Sequence, residues 1–413
     1  MSHRVLSSVL SSQSVGADSV GEPTIIVEPT TPKPEESWLS PFESLPDPRR
    51  EQGTYHPLLT VIGIAILAVL CGADNCSEIR DYGVEKEPWL QSFVDLRLGL
   101  PSLSTIERVI EHLDPDAFEA SFRQWVAQII EPLGVKVVRI DGKTHRGSYD
   151  REQRLKALHS VSAWSDEHRL VLGEVAVDSK SNEITAIPVL LELLDLDGAV
   201  VTMDAMGCQK DIVKQLRKQN ADYLLPLKAN HEHFYLGLKA WHDDLQNTNW
   251  KGVTYSSAAS LEDSHGRHEQ RQLWAVPVSQ LADHPQLRLE LAKWKDLKTI
   301  VVVWRRRRTF KTETTEVHFY LTSLEADAAR LIELIRGHWS IENQLHWCLD
   351  VVFREDACRT RKGNGPRNLG LLRRLAVSLL NQETTYKASL KRKRFRALLN
   401  NDYLCSILAA ALP

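Results

Sequence analysis

Three acidic residues have the type and placement to clamp divalent cations. Asp141 ends the apolar run V-K-V-V-R-I-D (135 to 141), and Asp204 ends the apolar run A-V-V-T-M-D (199 to 204). Glu342 sits in the helical stretch R-G-H-W-S-I-E-N-Q-L-H-W-C-L-D (336 to 350). An unpaired carboxylate at the end of a buried strand is costly, and a bound metal would compensate it. Paired cations held by carboxylates can activate an attacking oxygen and stabilise a leaving one. His338, Glu342, His346 and Asp350 follow one another at intervals of four and so share one helix face.

A zinc hydrolase is the rival reading, with His338 and His346 joined by Asp350 or Glu342. The two histidines are eight residues apart rather than four, no H-E-x-x-H occurs, and no Cys/His cluster completes a site. The six cysteines are scattered without a C-x-x-C pair, which argues against a disulfide framework and predicts reduced thiols.

The elements that must position these acids are legible in outline. Residues 133 to 380 read as strand, strand, strand, helix, strand (135 to 141, 159 to 164, 170 to 177, 183 to 194, 199 to 204), followed by a helix near 208 to 219 and a strand at 223 to 227. This is the order of an α/β, ribonuclease-H-like core, in which the first and fourth strands are neighbours, so Asp141 and Asp204 should meet with each at the end of its strand. Residues 231 to 324 read as a β-rich insertion containing 271 to 276, 299 to 304 and 317 to 322. A long helix should start near Leu324.

Before this core, residues 1 to 40 have the composition of a disordered tail. Residues 41 to 132 read as a small all-helical domain, with a capping box at Ser104 and Glu107 and an N-cap at Asp114-Pro115. Residues 76 to 113 of that domain could hold a helix-turn-helix DNA reader. The apolar run Leu58 to Cys71 is too short to span a membrane and predicts a buried helix. With no signal peptide at the start, a cytoplasmic protein is expected.

The chain has 413 residues, 43% hydrophobic and 25% charged, which suits a soluble protein of two or three folded units. Its net charge is only -3, but twelve Lys or Arg face a single acid, Glu383, between Arg359 and Arg396. Such a stretch, which runs into the basic C-terminal helical segment 381 to 413, should attract a polyanion by counterion release. Further cations follow the first acid (Lys143, Arg146, Arg151, Arg154) or lie in the insertion (Arg305 to Arg308, Lys311) and could hold phosphates. Trp274 or Trp304 could stack on a base, although strand tryptophans are more often core.

The blocks I-D-G-K-T-H-R-G-S (140 to 148), M-D-A-M-G-C-Q-K-D-I (203 to 212) and H-W-S-I-E-N-Q-L-H-W-C-L-D-V-V-F-R-E-D (338 to 356) resemble the three acidic blocks of the ISAs-type insertion-sequence DDE transposases, the H-repeat-associated proteins. D-P-R-R (47 to 50) and L-A-V-L-C-G-A (67 to 73) resemble the helical domain that accompanies them, so the likeness runs from about 41 to about 380. It implies a ribonuclease-H-like transposase with Asp141, Asp204 and Glu342 holding two Mg²⁺, which Mn²⁺ can replace. It also implies cleavage at the ends of a mobile element, strand transfer into target DNA, and a homodimer or larger assembly on that DNA. Wider relatives carry Tyr, Arg and Lys at -7, -4 and +7 from the glutamate, where this chain has Ile335, His338 and Leu349. Arg336, His338 and His346 are candidates to replace those phosphate contacts, with Lys143, Arg146, Arg359, Arg361 and Lys362 as further DNA-binding candidates. A non-catalytic DNA-binding descendant is the alternative, and a nuclease that cuts without joining is a third possibility.

Overall fold

The structure is a computed structural model that describes residues 36–50, 54–92, 94–130, 134–149, 156–177, 182–264 and 266–410. Most of the expected tail, and Arg151 and Arg154, lie outside the described residues.

Among the described residues, four α-helices precede the sheet: α1 (Leu58–Cys71), α2 (Cys76–Leu90), α3 (Leu103–His112) and α4 (Pro115–Ile130). Apolar all round, α1 is buried on nearly every residue, as expected of a core helix. No single helix among the described residues is long and apolar enough to cross a membrane. Asp114 caps α4 as expected, its Oδ1 accepting from the amides of Asp116 and Ala117. The expected capping box at Ser104 is displaced: Ser102 is the N-cap of α3 and accepts from the Thr105 amide, leaving Ser104 inside the first turn. Residues 91–102 separate α2 from α3, far more than the three or four that a helix-turn-helix turn uses, so the expected DNA reader is not built there.

Among the described residues, nine strands then form one sheet: β1 (Val137–His145), β2 (Leu158–Ser165), β3 (Leu170–Ala176), β4 (Val200–Met203), β5 (Asp222–Leu227), β6 (Ser256–Ser264), β7 (Arg267–Pro277), β8 (Thr299–Thr309) and β9 (Glu313–Thr322). Their order is β3-β2-β1-β4-β5-β9-β8-β7-β6. The first five make the ribonuclease-H-like core, with β1 parallel to β4 and β4 parallel to β5, while β2 pairs antiparallel with β1 and β3 antiparallel with β2. Helices α5 (Glu183–Glu192) and α6 (Lys210–Lys218) supply the crossovers that parallel strands need.

The insertion extends this sheet rather than forming a separate body, because β9 pairs antiparallel with the β5 edge. It also opens on a helix absent from the expected β-rich reading, α7 (Glu232–Asn247), which buries Phe234, Leu238, Trp241 and Leu245. No side chain caps the start of α7, so the usual sequence signal for a helix is missing there. A four-residue helix, α8 (Arg288–Leu291), links β7 to β8.

The helix that crosses the sheet begins at α9 (Ala328–Gly337), with Asp327 as its N-cap, and continues as π-helical turns over Ile341–His346 and Cys348–Val352. An α-helix overshoots a full turn by about 40° every four residues, and the wider π winding reduces that drift. Residues 338, 342, 346 and 350 therefore stay in line. Gly337 allows the close approach of helix to sheet, since a Cβ there would lie 2.1 Å from the Arg139 guanidinium.

Three closing helices, α10 (Gly365–Gln382), α11 (Leu390–Leu399) and α12 (Asn401–Ala409), pack back on the first ones, with α10 against α1, α3 and α4 and α11 against α1. The helical segments read as separate N- and C-terminal parts thus share one core. This explains where many of the basic residues of 359 to 396 go. Arg374 is buried between Glu119 and Glu174, and Arg394 donates to Val69 O and lies 4.0 Å over the Phe353 ring. Buried Lys393 donates to Leu380 O and pairs with Glu383. These cations hold helices together and are not available to a polyanion.

Candidate metal centre

Strand β1 carries a row of polar side chains at 139, 141, 143 and 145, which alternation places on one face. The crossing helix and the segment after it meet each of them in turn. Arg139 donates to Leu334 O at 2.9 Å. Asp141 meets His346, with Nδ1 3.5 Å from Oδ2. Lys143 pairs with Asp350 at 2.6 Å and with Glu355 at 3.3 Å. His145 lies 3.4 Å from Glu355 and bonds to Ser160 at 2.9 Å.

Asp141 is not the end of its strand, as the sequence suggested. Pairing with β2 carries β1 on to His145↔Leu158 after the parallel pairing with β4 stops at Ile140↔Met203. The next positions in that parallel register are Asp141 and Asp204, so the expected adjacency holds. Asp204 does follow the last residue of β4, and its Oδ1 caps a short turn by accepting from the amides of Met206 and Gly207.

Asp141, Glu342 and His346 offer ligand atoms that all lie within 4.8 Å of one another. Glu342 is half exposed, while His346 is almost wholly buried, with Nδ1 3.2 Å from Glu342 Oε2. Its Nε2 has no hydrogen-bond partner among the described residues. Burial pushes the Asp141 carboxyl up to about 6 against the pull of His346, and the charges of Asp204 and Glu183 add to the rise. The hydrogen bond from His346 holds Glu342 below the usual carboxylate range. Crowded carboxylates with one raised in this way are short of positive charge, and a divalent cation would supply it.

The remaining sequence candidates divide sharply. His338 bonds to Thr202 Oγ1 at 2.9 Å, and burial together with Arg139 pushes it down to about 4, so it brings no positive charge to a phosphate at pH 7. With His338 on Thr202 and His346 on the two acids, the histidine pair of the zinc reading has separate partners. His346 is buried against the acids and Lys143 is buried among three carboxylates, so neither presents a charge to a backbone phosphate. Arg336 is paired with Glu262 and Lys362 with Glu111. Arg146 and Arg359 remain exposed, the former 3.7 Å from Asp356, and Arg361 donates to Gly147 O at 3.4 Å. Trp274 stacks on Trp250, ring centroids 5.0 Å apart, and is core rather than a base platform.

Several residues that shape this centre were missed. Glu355, fully buried, is held below the usual range: burial raises it, but His145, Arg373 and Lys143 outweigh that. On the other face of β1, Thr144, His159 and Glu183 form a hydrogen-bonded chain, 2.8 and 2.7 Å, and Glu183 lies over Gly142, where any Cβ would strike it. The period-two spacing of Arg139, Asp141, Lys143 and His145 was the available signal.

Two family models match the chain: one described as transposase DDE domain over residues 134–379, and one described as DDE_Tnp_1-associated over residues 39–126. The protein "Putative transposase YncI" of Escherichia coli O157:H7 is 38% identical over 91% of this chain and 95% of its own length. "H repeat-associated putative transposase YhhI" of Escherichia coli strain K12 is 36% identical over 89% and 96%. A solved piggyBac transposase synaptic complex with hairpin DNA aligns over 86% of this chain and 75% of that one, at 9% identity and a TM-score of 0.38, too slight a likeness to argue from.

Proposed function

Because the chain belongs to the DDE transposase family, we propose that it cuts DNA at the ends of a mobile element and joins the freed 3′ ends to target DNA by metal-dependent phosphoryl transfer. The observation that carries this reading is the convergence of Asp141 and Glu342 beside His346, with Asp204 next in the parallel register. Asp141, Asp204 and Glu342 would hold the ions, Mg²⁺ with Mn²⁺ as substitute. Bound there, the metal supplies Lewis-acid activation of the attacking oxygen and charge stabilisation at the leaving one.

The chain's own residues supply position. His346 ties Asp141 to Glu342 across the gap between strand and helix. Lys143 anchors Asp350 one turn further on, so the helix cannot slide along the strand without breaking a buried pair. DNA would be held by cations that the protein does not itself neutralise. Arg307, Arg308 and Lys311, at the β8–β9 turn, have no ion pair among the described residues, whereas Arg305 and Arg306 are paired with Glu316 and Glu313. Of the sequence candidates, Arg359 is likewise exposed and without an ion pair among the described residues. Cutting two ends in one complex implies at least two copies of the chain on the DNA.

The test is cleavage of labelled duplexes from the flanks of the gene, with Mg²⁺ or Mn²⁺, by the natural protein, Asp204→Ala and Glu342→Ala. Nicks at defined ends that need metal and vanish in both variants are expected. Binding without cleavage under every condition would replace this reading with that of a DNA-binding protein, and cutting without joined products would leave a nuclease.

A further inference from the structure

The sheet has two edges, β3 and β6, and the chain treats them differently. At the β3 edge the Val171 amide donates to Ser378 Oγ on α10 and the Glu174 amide to Glu119 Oε1 on α4, so side chains from two helices close it. At the β6 edge nothing does so: among the described residues, the main chain of 257–263 bonds only to β7. An open strand edge is a template for another strand, and proteins commonly blunt it with Lys, Pro or a bulge. The β6 strand (S-S-A-A-S-L-E-D-S) has no Lys, Arg or Pro, and its pairing with β7 runs from end to end without a register shift. Its two acids are already engaged within the protein, Glu262 by Arg271 and Arg336 and Asp263 by His268. Leu261, in the middle of this edge, is 80% exposed.

We propose that β6 pairs with β6 of a second copy of the chain, antiparallel about a two-fold axis at Ser260, so that the two sheets become one. The proposal takes from the transposase reading only the need for two copies. The register follows from the side chains. With Ser260 on the axis every residue of β6 finds a partner, and Leu261 lies opposite the partner's Ala259. Glu262 and Asp263 lie opposite the partner's Ala258 and the partner's Ser257, so no acid faces an acid. Centring the pair between Glu262 and Asp263 would set like charges against one another, and so would an in-register parallel pairing.

Alternate side chains share a face, so Ala259 and Leu261 of the two copies form one apolar patch that covers the exposed leucine. Ser260 Oγ is buried and has no hydrogen-bond partner among the described residues. On the axis it would meet its own copy, and hydroxyls paired across strands bond one another. The acids of β6 disfavour DNA as the occupant, and a strand of unrelated sequence would gain the main-chain bonds without the matched ends. Strand pairing over about 30 Å is a small interface, so a weak, concentration-dependent dimer is expected.

The experiment uses the full-length protein without DNA. Sedimentation equilibrium should show the natural protein passing from monomer to dimer with concentration. Leu261→Lys, at a position too exposed to matter for the fold, should raise the dissociation constant by about tenfold or more. Ala259→Cys and Leu261→Cys test the register. Oxidised with copper phenanthroline in air, a mixture of these two variants should give a disulfide-linked dimer, because residues paired across antiparallel strands have Cα atoms about 4.5–5.5 Å apart. Either variant alone, and the natural protein, should give little. A natural protein that stays monomeric at every concentration would overturn the proposal, as would a dimer that Leu261→Lys leaves intact or a link formed as readily by Ala259→Cys alone. A protein that pairs through β6 yet never cuts DNA would leave this proposal standing and end the transposase reading. One that cuts and joins DNA while monomeric in solution would end the proposal alone.

Discussion

Two clusters of charge lie two residues apart along β1 and the helix that crosses it, and they are balanced differently. Around Lys143 and His145, the cations Lys143, Arg373 and His145 face Asp350, Glu355 and Asp356, all within 3.9 Å of an opposite partner. Around Asp141, two carboxylates share one imidazole, while Asp204 and Glu183 add negative charge nearby. The strand and the helix are shared, but Glu355 at the centre of the first cluster is buried whereas Glu342 of the second is half exposed. A cluster that balances itself serves as a structural clasp, and one left negative is a place for a cation from outside.

One carboxylate-to-amide change in each cluster separates these roles. Asp141→Asn or Glu342→Gln should keep the fold and lower cleavage by about a thousandfold or more, because loss of a metal ligand forfeits several kcal/mol of transition-state stabilisation. Glu355→Gln should do the reverse, leaving Lys143, His145 and Arg373 without their shared counter-charge. Breaking a buried network in that way costs about 3–5 kcal/mol, a fall of roughly 5–15 °C in Tm by calorimetry. A stable Glu355→Gln protein would dissolve the distinction.

Acid sharpens the same contrast. Glu355 is held below its unfolded value, so its contribution is complete above the ordinary glutamate range and is lost as pH falls toward the lower folded value. The natural protein should therefore lose stability steeply below about pH 4.5, and Glu355→Gln should show a shallower acid limb. Asp141 has the opposite sign: its folded value is raised to about 6, so without metal its ionisation costs stability as pH rises through 6. Metal-free Asp141→Asn should then melt a few degrees above the natural protein at pH 7. Adding Mg²⁺ at about a hundred times its Kd should stabilise the natural protein by about 2.7 kcal/mol and leave the variant unchanged.

Much of this was legible in the sequence, for identifiable reasons. The runs ending at Asp141 and Asp204 are apolar and bounded, so the strands and their parallel adjacency could be read directly. The four-residue spacing from His338 to Asp350 gave the helix face that meets β1. What could not be read was partner identity. Arg373, Arg374 and Arg394 look like a polyanion site in one dimension, but their counter-groups Glu355, Glu119, Glu174 and Asp74 come from elsewhere in the chain. His338 and His346 look equivalent until Thr202 takes one and Asp141 the other. Exposure was hidden in the same way, which is why Trp274 suggested a stacking residue although it packs on Trp250.

The rule that neutralised charge is structural and free charge awaits a ligand has its gentlest test at the surface, in the four arginines of β8. Arg306 is held by Glu313, whereas Arg308 has no ion pair among the described residues. If free cations are what DNA uses, Arg308→Ala should weaken binding a few-fold and lower the slope of log affinity against log salt by about 0.9, the release expected from one phosphate contact. Arg306→Ala removes the same formal charge but frees Glu313 at the same time. Its slope should stay near that of the natural protein, because the lost pair was exposed and worth at most about 1 kcal/mol, and its arginine was already satisfied. Equal slopes for the two variants would mean that DNA pulls Arg306 from its partner, and that pairing in the free protein does not mark which surface charges bind.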